Sequence, residues 1–178
     1  MADTPRVLSS ETVFVGKRFV VRHDLVDLPN AGRFQREVID HLDAVVIVAL
    51  DEEHKVLLVN QFRAPLGRTN LELPAGTIER EEEPLACAQR ELREETGYAA
   101  ERFRPIGDFW TTPGFCTERM YAFLATGLRL DPLPADDDED IELVRIPYAE
   151  ALEMACTGQL PDAKTIATLV MSERYVAL

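Results

Sequence analysis

From Val7 to Ile39 hydrophobic and polar residues alternate in short runs, VLSSETVFVG, KRFVVRHDLVDLP and GRFQREVIDH, with Val13, Val15, Phe19, Val21 and Val26 carrying the apolar phase. A period of two puts successive side chains on opposite faces of a strand, and the break at Pro29-Asn30-Ala31-Gly32 supplies a turn. The region therefore predicts a small antiparallel sheet, which must pack on the main domain or on a partner subunit to be stable. Ala44 to Leu50 (AVVIVAL) and Val56 to Val59 (VLLV), separated by Asp51-Glu52-Glu53-His54-Lys55, predict a hairpin of two core strands. His54, with no second histidine or cysteine at metal spacing, reads as a solvated turn residue. Further strands are expected at Phe103 to Trp110, Met120 to Thr126 and Ile141 to Pro147. Helical spacing appears at Pro84 to Thr96, at Tyr148 to Thr157 before Gly158, and at Asp162 to Tyr175 with Asp162 as N-cap. Strands interleaved with helices give a mixed α/β (α+β) fold, divided into an N-terminal β-subdomain (1–40) and a main domain (41–178).

The helix over Pro84 to Thr96 starts with a proline that loses no hydrogen bond in the first turn and stops at Gly97, where a left-handed cap is expected. At about 100° per residue, Leu85, Ala88, Leu92 and Thr96 share one stripe, and Glu91, Glu94 and Glu95 crowd the arc beside it. Like charges at i,i+3 and i,i+4 destabilise a helix by a few tenths of a kcal/mol per pair, so the cluster asks for a cation. A solvated acidic face is the alternative for three glutamates alone. The preceding Gly76, Glu82 and Arg90 shift the balance toward a hard divalent ion such as magnesium, which prefers oxygen ligands.

Composition narrows the partners. The 178 residues suffice for a sizeable core, and 46% are hydrophobic, as in an ordinary globular domain. A net charge of −13 argues against a nucleic-acid surface. Cys87, Cys116 and Cys156 match no zinc spacing and read as reduced thiols used as small core residues. The N-terminus MADTPRVLSSET lacks a basic segment followed by an apolar run, and no stretch approaches about 18 apolar residues. A cytoplasmic protein without a membrane segment is expected.

Gly76, Glu82 and Arg90-Glu91-Leu92-Arg93-Glu94-Glu95-Thr96-Gly97-Tyr98 together resemble the Nudix box without a departure. The resemblance implies an α/β/α sandwich around a mixed sheet, and a pyrophosphate hydrolase for a nucleoside diphosphate linked to another moiety. Magnesium or manganese would be held by Glu91, Glu95 and the Ala75 carbonyl, with Glu94 beside them as a further metal or catalytic carboxylate. Glu82 and Arg90 would form a structural ion pair joining loop to helix.

Outside the box, Gln61-Phe62-Arg63 with Glu72-Leu73-Pro74-Ala75-Gly76, the Pro113-Gly114 turn with a later Glu118, and GQLPDAKTIATL resemble the ADP-ribose pyrophosphatase branch of that family. By that resemblance Arg63 meets substrate through its planar fork, and Pro113, Gly114 and Glu118 line the adenosine or ribose part. A carboxylate of the acidic run Asp131 to Asp140 or just after it, Glu139 first and Glu142 second, would orient a water. Adenine needs a stacking partner, for which Phe19, Phe34 and Phe115 are available with Arg36 as a cationic stack or phosphate contact, although Phe19 and Phe34 read first as core residues. Members of this branch exchange a comparable N-terminal sheet within a homodimer. The implied reaction converts ADP-ribose to AMP and ribose 5-phosphate. GDP-mannose or another nucleoside diphosphate derivative is the rival substrate, and a non-catalytic nucleotide-sensing module the rival class.

Overall fold

A computed structural model of the chain describes residues 4–134 and 140–176. The described chain forms two compact units, one of residues 4–43 with 110–119, the other of residues 44–109 with 120–134 and 140–176.

In the first unit, β1 (Arg6–Val15), β2 (Phe19–Leu28) and β3 (Gly32–His41) form an antiparallel sheet in the order β1-β2-β3. The β2–β3 register runs unbroken from Phe19–His41 to Leu28–Gly32. The turn closes where Ala31 N–H donates to Leu28 O, and Gly32 takes φ +90°, a conformation that side chains resist. Segment 110–119 joins β3 through a parallel bridge at Ile39–Cys116, with Ile39 N–H donating to Phe115 O at 2.7 Å and Thr117 N–H to Ile39 O at 3.0 Å. Every residue of β1 is exposed. Phe19 and Phe34, expected in a core, are instead 38% and 41% exposed, Phe19 beside the Phe14 and His41 rings and Phe34 beside the Arg36 guanidinium, neighbours of the same sheet that leave part of each ring uncovered.

The second unit is built on a mixed sheet of β4 (Ala44–Leu50), β5 (Lys55–Arg63), β6 (Arg68–Glu72), β7 (Ala75–Thr77), β8 (Tyr98–Trp110), β9 (Arg119–Leu130) and β10 (Ile141–Pro147). The path is β10-β5-β4-β9-β8, with β6 on β5 and β7 on β4. All of β4 is buried, as the continuous run AVVIVAL requires of a strand covered on both faces. Its alternate residues separate cleanly. Val46, Val48 and Leu50 join the cluster containing Tyr148, Ala151 and Leu169 of α2 (Tyr148–Cys156) and α3 (Ala163–Ser172). Val45, Ile47 and Ala49 join the cluster containing Cys87, Ala88 and Leu92 of α1 (Pro84–Thr96). The result is an α/β/α sandwich.

The expected β4–β5 hairpin pairs only at Ala49–Leu57 and Leu50–Val56. The strands then part, and the other half of β4 takes β7 as its neighbour, Val46 with Ala75 and Val45 with Gly76. Neither β6 nor β7 is anticipated from pattern: RTNLE is polar and AGT too short to show a period. Strand β8 also starts directly after Gly97, earlier than the pattern implies, and the third helix ends at Ser172 before a 3₁₀ turn over Glu173–Tyr175.

Candidate functional site

Helix α1 takes its expected bounds. Pro84 follows an extended Glu83, and Gly97 closes the helix at φ +77°, its N–H donating to Arg93 O at 3.1 Å. The buried face differs from the expected stripe. Cys87, Ala88, Glu91, Leu92, Glu95 and Thr96 are buried, whereas Leu85 is 45% exposed. The packed face is thus rotated toward two glutamates.

Burying carboxylates costs free energy unless partners replace water. Arg90 supplies those partners. Its Nε donates to Glu82 Oε1 and its Nη2 to Glu82 Oε2, both at 2.9 Å, while Nη1 donates to Glu91 Oε1 at 2.7 Å and to Glu94 Oε2 at 2.8 Å. The Glu82–Arg90 pair therefore joins loop to helix, as the resemblance implied. Hydrogen bonds from Arg90, outweighing burial, hold Glu82 below the usual carboxylate range. The bonds to Glu82, with burial opposing and Glu91 assisting, push Arg90 still further up.

Glu95 Oε2 accepts from Ala75 N–H at 2.9 Å, which draws the β7 backbone against the helix. Gly76 is needed here for closeness, not for a positive φ. A Cβ added to it would stand 1.9 Å from Glu91 Cδ, a carboxylate already fixed by Arg90. Ala75, Gly76, Glu91, Glu94 and Glu95 are thereby assembled in one place.

Arg90 brings one positive charge to three carboxylates, so negative charge stays in excess on an all-oxygen donor set. That chemistry fits a hard divalent cation. Among the described residues no three acidic, histidine or cysteine side chains already form a ligand cage. Cys87, buried beneath the site, donates its thiol to Thr77 O at 3.5 Å. Burial, then the charges of Glu91 and Glu82, push that thiol well above the usual range, so it is chemically quiet.

Arg63, at the end of β5, is gripped by Glu72 of β6, Nε to Oε1 at 3.1 Å and Nη2 to Oε2 at 2.7 Å. Glu142 lies elsewhere. It is exposed on β10, takes a hydrogen bond from Asn60 Nδ2 at 3.3 Å, and alternates with Leu143, which packs in the α1 cluster. The structure therefore turns Glu142 to the sheet face opposite α1. Glu139 lies outside the described residues.

The remaining candidates belong to the first unit. The Arg36 guanidinium stands 5.2 Å from the Phe34 ring, both exposed on β3. Pro113 and Gly114 form a turn closed by Phe115 N–H and Cys116 N–H on Thr112 O, at 3.1 and 3.0 Å. Glu118 accepts from Thr111 Oγ1 at 2.9 Å and faces His41 Nδ1 at 3.6 Å. Phe115 is 52% exposed, and Trp110, which sequence reasoning passed over, is 54% exposed with Arg119 over its ring at 5.6 Å. The signal for Trp110 was present: the chain's single tryptophan at the end of a strand.

The NUDIX domain pattern matches residues 40–169. The chain belongs to the Nudix family. It is 39% identical over 162 residues to an ADP-ribose pyrophosphatase of Bacillus subtilis (strain 168), covering 90% of this chain and 88% of that protein. It is 36% identical over 163 residues to a methanol dehydrogenase activator of Bacillus methanolicus, again covering 90% and 88%. The crystal structure of an ADP compounds hydrolase matches with a TM-score of 0.86 over 98% of this chain and 95% of that one, at 22% identity, a likeness of fold. Nudix hydrolases generally need a divalent metal, and the all-oxygen cluster on α1 has donor chemistry that fits one. Among the described residues no helix is long and apolar enough to cross a membrane.

Proposed function

We propose that the chain hydrolyses the pyrophosphate bond of ADP-ribose to AMP and ribose 5-phosphate. The observation that carries the reading is the approach of Glu95 to Ala75 and of Glu91 to Gly76, with Arg90 tying Glu91 and Glu94 together beside them. The 39% identical relative described as an ADP-ribose pyrophosphatase supports the substrate.

Glu91, Glu95 and the Ala75 carbonyl would hold magnesium or manganese, with Glu94 beside them. A divalent ion there supplies charge neutralisation on the pyrophosphate and acidifies water. Arg90 holds Glu91 and Glu94 in place by hydrogen bonds, and Gly76 lets the strand approach them. Arg63 contacts a phosphate oxygen. Glu139 accepts a proton from the attacking water; Glu142, on the sheet face opposite α1, is not retained for that role. Phe34, Arg36, Pro113, Gly114 and Glu118 are assigned to the nucleoside part.

The fully exposed β1, with Val13, Phe14 and Val15 at 47%, 53% and 72%, supports a homodimer formed through the N-terminal sheet. Free cysteines at 87, 116 and 156 agree with the cytoplasm, and the acidic chain with a small-molecule substrate and no nucleic-acid partner.

The test is product analysis with ADP-ribose, GDP-mannose, NADH and a dinucleoside polyphosphate, each with magnesium and with chelator. AMP and ribose 5-phosphate should form fastest from ADP-ribose, and not with chelator. Faster turnover of another substrate overturns the substrate assignment, and no turnover of any overturns the catalytic reading.

A further inference from the structure

Glu72 is the most deeply buried acid among the described residues at 2% exposure, yet it lies between the apolar Leu71 and Leu73 and is given no task by the chemistry above. It has two cationic partners. One edge of the Arg63 guanidinium, Nε and Nη2, closes on both of its oxygens. Lys164, from the first turn of α3, donates to Glu72 Oε2 and also reaches Asp162 Oδ2 at 3.0 Å. The same turn is fixed to the strand end a second time, where Thr165 Oγ1 accepts from Leu73 N–H at 2.9 Å. Lys164 is 14% exposed and Arg63 35%.

A guanidinium has five donors in a planar fork. Engaging Nε and one Nη2 proton leaves Nη1 and the second Nη2 proton as an opposite edge, suited to two oxygens of a phosphate. One carboxylate facing one guanidinium would cancel most of its charge. Here the Glu72 carboxylate is shared between Arg63 and Lys164, which also meets Asp162, so Glu72 does not draw on Arg63 alone. Burial lowers the Arg63 pKa, but Glu72, with Glu95 and Asp162 adding their charges, raises it overall. Arg63 therefore feels Glu95, one of the α1 carboxylates.

We propose that Glu72 and Lys164 are positioning residues for Arg63: Glu72 holds one edge of its guanidinium while Lys164 shares the Glu72 carboxylate, leaving the opposite edge oriented and charged for a substrate phosphate. This rests on the reading that Arg63 contacts substrate. A merely structural triad would tie α3 to β6, and such triads are replaceable without functional loss.

Steady-state kinetics of the full chain, with magnesium and the nucleoside diphosphate sugar that turns over fastest, separates the two roles. Lys164→Met should raise KM about tenfold, the scale seen when a group orienting a ligand from behind is lost, with kcat changing less than KM. Lys164→Arg should restore KM. Arg63→Ala should raise KM at least as much, and the double variant Arg63→Ala/Lys164→Met should be no worse than Arg63→Ala, since Lys164 acts through Arg63. Lys164→Gln, which keeps a donor to Glu72 without the charge, replaces Lys164→Met if that variant does not fold. An unchanged KM in Arg63→Ala removes the phosphate role of Arg63 and the proposal with it. A raised KM there, with an unchanged KM in the Lys164 variants, overturns the positioning role alone, as does an additive double variant.

Discussion

Glu95 shows how much one side chain does in this chain. Its carboxylate accepts from Ala75 N–H at 2.9 Å and is buried to 7% exposure, so it fastens a strand to a helix while contributing charge to the proposed metal site. Glu95→Gln keeps an oxygen for the Ala75 bond and removes only the charge. Activity in magnesium should then fall beyond the ~10–100-fold typical of losing a group behind a ligand, with the thermal midpoint little changed. A full-rate Glu95→Gln enzyme would sink the metal assignment. The charge pattern of this site was legible in sequence because all its members lie within one short segment and helical geometry converts their spacing into a face. The reason for Gly76 was not legible. The structure shows that a side chain there would collide with Glu91, a residue fifteen positions on that only the fold brings near.

At the scale of the element, α1 is held by what it buries. Leu92 is fully buried in the cluster of Val45, Ile47, Leu57 and Phe123, while Leu85 is 45% exposed. Leu92→Ala should cost about 2–5 kcal/mol through lost burial and a cavity, and Leu85→Ala no more than about 0.5 kcal/mol, as for a surface change. Urea unfolding of both variants checks this, and equal costs would contradict the observed face. Helix α1 was readable to the residue because Pro84 and Gly97 mark its ends by local chemistry. Strands β6 and β7 were not readable, because their pairing partners, β5 and the first half of β4, give them strand geometry that RTNLE and AGT do not specify. Those two short strands are what bring Ala75 and Gly76 to α1 and Glu72 to Arg63.

For the whole molecule, the entirely exposed β1 leads to an expectation about assembly. Sedimentation should find a dimer at micromolar concentration, and Phe14→Asp, which places charge on the exposed apolar strand, should shift it to monomer. A wild-type chain that sediments as a monomer would remove the proposed role of this sheet. By itself the sequence determined the longer strand runs, the two ends of α1 and the carboxylate cluster beside its packed stripe, since each depends on residues close in the chain or on a single period. Only the tertiary structure decided that Glu142 turns to the sheet face opposite α1, that Phe19 and Phe34 are exposed in this chain, that segment 110–119 belongs with the N-terminal sheet, and that Lys164 meets Glu72. Contacts of that kind join residues far apart in sequence, and no local pattern encodes them because their energy comes from which faces the folded sheet brings together.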